Sequence, residues 1–199
     1  MHRLDHVFVM CAPGAPEGRA LEDAGLECVR SRAHPGQGTH NRCWFVGDLM
    51  LELLWIDDPV AAASPGVARL RLPERDRWSE TGAAPFGAAL HGPDGEPPFP
   101  AWDYAPPYFP DGRVIPVAVA PPSEPLLFIT PGVSVPTDPE RPAARCEIRL
   151  PAWDPAGPMA SLAVAGLTLT TGDPLLSIAL EGGSRTVDLT PDLPIRVRF

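Results

Sequence analysis

Two ionisable residues stand inside apolar runs of this chain. His6 lies in Leu4-Asp-His-Val-Phe-Val-Met10, and Glu52 lies in Met50-Leu-Glu-Leu-Leu-Trp-Ile56. A carboxylate buried without a partner is costly or is driven into its protonated form, so Glu52 needs an imidazole, a metal ion or a polar ligand beside it. On an extended strand His6 shares a face with Leu4, Phe8 and Met10, a face expected to be buried. Imidazole and carboxylate together suit a divalent Zn, Fe, Mn or Ni ion. The same two groups without an ion would be a hydrogen-bonded pair lining a metal-free pocket. The first reading makes His6 and Glu52 the candidate metal ligands, and Glu52 is also a candidate catalytic residue.

The turn His34-Pro-Gly-Gln-Gly-Thr-His-Asn-Arg42 adds donors close to the Glu52 strand. Gly36 and Gly38 permit positive φ or close approach to a ligand, although Pro-Gly and Gln-Gly are also ordinary turn chemistry. His34, Gln37 and Asn41 are expected to contact substrate. His40 is the candidate third ligand or general acid/base, because an imidazole titrates near neutrality. Further on, Trp102, Tyr104 and Tyr108 stand in a proline-stiffened segment that could fold over a pocket and offer two hydroxyls to a ligand. Such a segment could equally cover a sheet edge.

The elements that must position these groups begin with a strand at Leu4–Met10, ended by Pro13-Gly14. A helix follows over Glu17–Leu26, with Pro16 suited to its first turn and Gly25 to its stop. Strands at Glu27–Arg32, Arg42–Val46 and Met50–Ile56 complete a β-α-β-β-β order, the last two joined by Gly47-Asp48. Residues 57–81 read as a connector, and the mixed-sign run Arg69–Arg77 as a solvated part of it. Strands are expected at Pro85–His91, Val114–Val119 and Leu126–Thr130, around a proline-rich loop at Gly95–Gly112. Beyond a spacer at Pro131–Pro142 come a strand at Arg145–Leu150 and a short helix at Met159–Ala165. Four more strands follow, at Leu167–Thr171, Leu175–Glu181, Thr186–Leu189 and Ile195–Phe199.

Composition narrows the function. The chain has 199 residues, enough for a sizeable core without staples, and a net charge of −9 with no extended basic cluster. A nucleic-acid or anionic-membrane surface is not expected. All sixteen basic residues are arginine, which with 28 prolines looks like coding bias. Cys11, Cys28, Cys43 and Cys146 form no C-x-x-C pair, so they are expected to be free thiols in a reducing compartment. No segment approaches the length of a membrane span, and a cytoplasmic location is the expectation. No G-x-S-x-G, Walker or dinucleotide-binding motif occurs.

Leu4-Asp5-His6, the turn His34–Thr39, and Leu51-Glu52-Leu53-Leu54 followed by Asp57-Asp58-Pro59 resemble the glyoxalase-like branch of the vicinal oxygen chelate superfamily. The resemblance implies an α+β fold of paired βαβββ modules whose curled mixed sheets enclose a cleft. It divides a single domain, 1–199, into a first module at 1–57, a connector at 58–82, an eroded second module at 83–135 and a C-terminal β-rich unit at 143–199. Metal-dependent members hold a divalent ion with residues from the first and fourth strands of each module. His6 and Glu52 match those positions in the first module. In the second, Gly87 stands for His6 and Leu126 or Leu127 for Glu52, and none can bind a metal; His91, Glu147 and His40 are the residues that could compensate. The implied activity is that of a lyase, isomerase or dioxygenase on a small oxygenated substrate, with metal Lewis-acid catalysis if an ion is present. The rival is a metal-free binding protein that sequesters a small molecule, as drug-resistance members do. A homodimer is a further implication of the resemblance.

Overall fold

A computed structural model describes residues 2–92, 96–109, 112–130, 141–155, 162 and 164–199. The first module comprises β1 (His2–Met10), α1 (Gly18–Asp23), β2 (Cys28–His34), β3 (Thr39–Val46) and β4 (Leu49–Ile56). The connector is helical in short pieces: α2 (Pro59–Ala62), a 3-10 turn at Ala68–Leu70, α3 (Leu72–Asp76) and α4 (Trp78–Thr81). Asp58 starts α2 by accepting hydrogen bonds from the Val60 and Ala61 amides, both at 3.0 Å, with Pro59 in the first turn.

The second module supplies β5 (Phe86–His91), β6 (Ala101–Tyr104), β7 (Ile115–Ala118) and β8 (Leu126–Ile129). The C-terminal unit contains β9 (Ala144–Leu150), β10 (Val164–Ala165), β11 (Leu167–Thr171), β12 (Leu175–Leu180), β13 (Thr186–Asp188) and β14 (Ile195–Arg198). The helix expected at Met159–Ala165 lies mostly outside the described residues. Its described end, Val164–Ala165, is a strand paired in parallel with β1.

The main sheet runs β2-β3-β4-β1-β5-β8-β7-β6, with β10 added beside β1. Its order repeats about the antiparallel β1–β5 seam: first strand, fourth strand, third, second, outward on either side. β1 and β4 are parallel, as are β5 and β8. This is the expected α+β architecture, with mixed, open sheets and few helices. The second module keeps all four strands; β6 went unpredicted because it lies within the proline-rich segment.

Alternation assigns the two faces of this sheet. Val7, Val9, Leu51, Leu53, Leu90 and Leu127 turn to one side and share a core with Ile148, Leu176, Ile178 and Val197 of the second sheet, β11-β9-β12-β14-β13. The residues between them, His6, Phe8, Glu52 and Leu54, turn to the other side and line a cavity. The connector closes that side through Leu70 and Leu72. It is not the solvated run expected. Arg75 is buried and donates to the carbonyls of Leu70 (3.2 Å), Ala84 (2.9 Å) and Glu124 (2.9 Å), tying α3 to the second module. Burial lowers its pKa to about 10, so it keeps its charge at neutral pH.

Candidate functional site

His6 and Glu52 meet. His6 Nε2 lies 3.9 Å from Glu52 Oε1, and the two side chains are 14 and 13% exposed. The register explains this: β1 and β4 run parallel with Phe8 opposite Glu52, so His6 stands two residues along on the same face. A third group joins them. His6 Nδ1–H donates to Asp5 Oδ2 at 2.7 Å. Regular alternation would send Asp5 to the far face, but the β1–β5 register shifts between Leu4 and His6, where Leu4 opposes Leu90 and His6 opposes Ala89. This bulge turns two successive side chains into the cavity. The only sequence signal for Asp5 was its place beside His6; the bulge itself leaves no compositional mark.

The imidazole is thus held between two carboxylates. Burial alone would lower its pKa, but the Glu52 charge and the Asp5 hydrogen bond outweigh burial and raise it. Asn41 Nδ2–H donates to Glu52 Oε2 at 3.0 Å, which fixes the carboxylate and leaves Oε1 toward His6. Cys43, on the same face of β3, is pushed upward by burial and by the nearby Glu52 charge and stays a thiol.

The turn after β2 is placed beside this group, but its side chains bond mostly to each other. Tyr104 Oη–H donates to Gln37 Oε1 at 2.8 Å, and Gln37 Nε2–H donates to Thr39 Oγ1 at 2.8 Å. Thr39 Oγ1 stands 2.9 Å from His34 Nδ1, and its hydroxyl completes the chain by donating to that nitrogen. The arrangement suits a neutral His34, whose pKa burial lowers to about 4. The His34 ring stacks on Tyr108 with centroids 4.6 Å apart, and the Arg32 guanidinium lies over the other ring contact at 5.4 Å from the Tyr108 centroid. The turn glycines serve protein rather than ligand. Gly38 has φ +77°, and a Cβ there would stand 2.2 Å from the Asp58 carbonyl oxygen.

His34, Gln37, Asn41, Glu52, Tyr104 and Tyr108 all line one cavity of about 280 Å³ with His6. His40 and Trp102 do not. His40 alternates with Thr39 and Asn41 and therefore leaves β3 on the opposite face, where it stacks on Trp55 at 4.7 Å and reaches Ser31 Oγ at 3.1 Å. The expectation of His40 as third ligand or acid/base is corrected by strand parity. Trp102 packs under Arg69, 4.2 Å from its ring, at a smaller hollow outside the main cavity. Arg30, Arg32 and Arg113, which sequence reading passed over, line the cavity as well.

The paired strands also settle the correspondence between modules. Gly87 opposes Leu126, and Ala89 opposes Phe128. Since Glu52 opposes the residue two beyond His6, setting Gly87 in the place of His6 puts Phe128, rather than Leu126 or Leu127, in that of Glu52. The Phe128 ring lies edge-on to His6 at 5.6 Å. A divalent ion held as in metal-dependent members would find His6 and Glu52, with Asp5 orienting the imidazole from behind. The other two positions offer Gly87 and Phe128. Glu147 lies in the second sheet, hydrogen-bonded to Thr170, and His91 closes β5 opposite Arg3. Among the described residues no three His, Cys, Asp or Glu side chains gather as a ligand set. The donors present fall short of the three or four protein ligands of a resident catalytic ion.

No helix among the described residues is long and apolar enough to cross a membrane. Residues 4–97 match the family model of a glyoxalase-like domain. Among solved structures, a hypothetical protein from Staphylococcus aureus aligns over 100% of this chain and 99% of its own, at 8% identity and TM-score 0.57. A hypothetical protein from Bacillus halodurans C-125 aligns over 64% of this chain and 92% of its own, at 15% identity and TM-score 0.42. The first likeness is one of fold alone. No curated protein matches the sequence. The match to a glyoxalase-like domain spans β1 to β5, and β5 to β8 repeat the strand order of the first module across the seam.

Proposed function

We propose that this protein is an enzyme of the lyase or isomerase type that moves a proton on a small oxygenated substrate. One observation carries the reading: an imidazole held between two carboxylates, with Nε2 and Glu52 Oε1 side by side at the cavity wall. Glu52 takes a proton from the carbon next to a carbonyl group. The C–H electron pair moves into the forming C=C bond, and the carbonyl pair moves onto its oxygen. His6 Nε2–H donates a hydrogen bond to that oxygen, and Glu52 later returns the proton. A positioned general base contributes roughly 10²–10⁴-fold, and a pre-aimed donor at the oxyanion is worth about 10²–10³-fold. Asp5 keeps Nδ1 protonated and the ring oriented. No step here requires an ion.

The test is solvent exchange at carbon. Pyruvate and phenylpyruvate are incubated in D₂O, and the enzyme-catalysed excess of deuterium uptake next to the carbonyl is followed by NMR. Exchange with the wild type that disappears in Glu52→Gln and His6→Gln supports the reading. Exchange that falls as pH rises through the raised pKa of His6 supports it further. Wild-type exchange no faster than that of both variants overturns it. So does one equivalent of a transition metal in protein purified without chelator, lost in Glu52→Ala, because the chemistry would then centre on the ion.

A second reading, sequestration of a small molecule without turnover, is favoured by Phe128 in the place of a ligand. Tight binding without exchange would identify it.

A further inference from the structure

We infer that the cavity takes an organic anion: a carboxylate head held by arginines and a single ring or branched apolar body held by the opposite wall. This rests on the proton-transfer reading and specifies its substrate class. The chain as a whole is acidic, with net charge −9, yet three arginines, Arg30, Arg32 and Arg113, exposed at its mouth, line this one cavity. Its carboxylates, Asp5 and Glu52, are both engaged by His6, and Glu52 also by Asn41. Among the described residues none of the three arginines pairs with a carboxylate.

The placement is structural as well as electrostatic. Arg30 and Arg32 stand two apart on β2, opposite Cys43 and Asn41 on β3, so both leave the strand on the cavity face. Arg32 lies over the Tyr108 ring, which is also stacked with His34. Arg113 reaches the cavity from the segment before β7. The cavity is also lined by the apolar side chains of Phe8, Leu54, Ile115, Leu126 and Phe128. Unpaired guanidiniums in a fork geometry match a carboxylate better than a neutral carbonyl, and they attract it over distance. A volume of about 280 Å³ sits at the small end of ligand cavities, which leaves room for one ring and excludes a nucleotide-sized ligand.

Three inert probes separate the parts of this inference by calorimetry: phenylacetate, its neutral isostere phenylacetamide, and acetate. Phenylacetate is expected to bind at least about tenfold more tightly than either other probe. Its affinity is expected to fall with added salt, as screening requires. Arg32→Met with Arg30→Met should weaken it about tenfold or more and Arg32→Lys much less, each variant checked for an unchanged melting curve. Phe128→Ala should weaken phenylacetate while leaving acetate unaffected. Equal affinity for phenylacetate and phenylacetamide, or no binding of phenylacetate at millimolar concentration, overturns the inference. Because the probes undergo no carbonyl chemistry, such a failure leaves the exchange result standing. Loss of exchange with anion binding intact would instead remove the proton-transfer reading alone.

Discussion

The two modules of the main sheet use the same four strands in the same order and do opposite things with them. In the first, β1 and β4 face the cavity with Asp5, His6 and Glu52. In the second, the matching strands β5 and β8 face it with Gly87, Leu126 and Phe128. Polar groups need partners when buried, and the first module supplies them from its own neighbours: Asp5 for His6, Asn41 for Glu52, Thr39 for His34. The second module supplies surface and shape, together with Arg113. In the proposed function, the first half reacts and the second half fits.

The contrast breaks most sharply at matched positions. Glu52→Gln keeps shape and hydrogen-bonding capacity but removes the base, and catalysed exchange should fall by about 10²–10⁴-fold. Phe128→Ala, its counterpart across the seam, should leave the exchange machinery in place while lowering stability by about 2 kcal/mol. Measuring both exchange and denaturant midpoints on the two variants checks the division. Equal loss of exchange in both would mean that the modules do not divide labour.

The first module carries a second asymmetry, a buried neutral histidine with no equivalent opposite. The His34 pKa is lowered from 6.5 to about 4. Above pH 6.5 neither folded nor unfolded His34 is protonated, and stability is unaffected. Between 6.5 and 4 the unfolded chain takes up a proton that the folded chain refuses, so stability falls with acid, by about 3 kcal/mol in total. His6 acts in the opposite sense: its raised pKa adds stability that is complete below 6.5 and is lost as pH rises through the folded value. Urea denaturation across pH 4–7 of His34→Gln against wild type should show the acid slope reduced in the variant.

At the seam itself, Gly87 measures how closely the halves approach. A Cβ there would lie 2.1 Å from the Phe8 ring and 2.8 Å from the Leu126 carbonyl oxygen. The ring could turn, but the paired strand backbone has nowhere to go. Gly87→Ala should therefore cost about 2 kcal/mol by thermal or chemical denaturation. Unchanged stability would show that the seam adjusts more freely than its strand pairing suggests.

How much of this was legible in the sequence depends on which physical rule governed each part. Period-two alternation exposes faces, so the convergence of His6 and Glu52 followed from two apolar runs each carrying one ionisable residue. The same rule, applied along β3, would have separated His40 from Asn41. A dense polar turn drew attention to side chains rather than to parity. Asp5 was hidden because a bulge breaks the very alternation that makes strands readable. β6 was hidden because prolines mask strand signals: it lies between Pro100 and Pro106, at the edge of the sheet. Arg30, Arg32 and Arg113 were illegible for another reason: arginines are usually solvated, and their lining one cavity depends on two distant segments folded together. The helices of the connector are each a turn or so long, too short for periodicity to accumulate.

The hydrogen bond from Tyr104 to Gln37 is where the shape-giving half grips the reactive half. Tyr104 belongs to β6, at the far edge of the second module, and Gln37 to the turn after β2, at the far edge of the first. Both are buried, so Tyr104→Phe removes a donor without opening a cavity and leaves Gln37 Oε1 short of its partner. Such a loss costs about 1 kcal/mol or somewhat more. The consequence should extend beyond stability. Gln37 orients Thr39, and Thr39 orients His34, whose ring supports Tyr108 and, over it, Arg32. Tyr104→Phe should therefore weaken phenylacetate binding by a small factor, about two- to threefold, while the Glu52-dependent exchange rate at saturating substrate stays near wild type. Calorimetry and exchange on the same preparation separate the two effects. A drop in exchange equal to the drop in affinity would mean that the chain of hydrogen bonds supports the base as well as the rim.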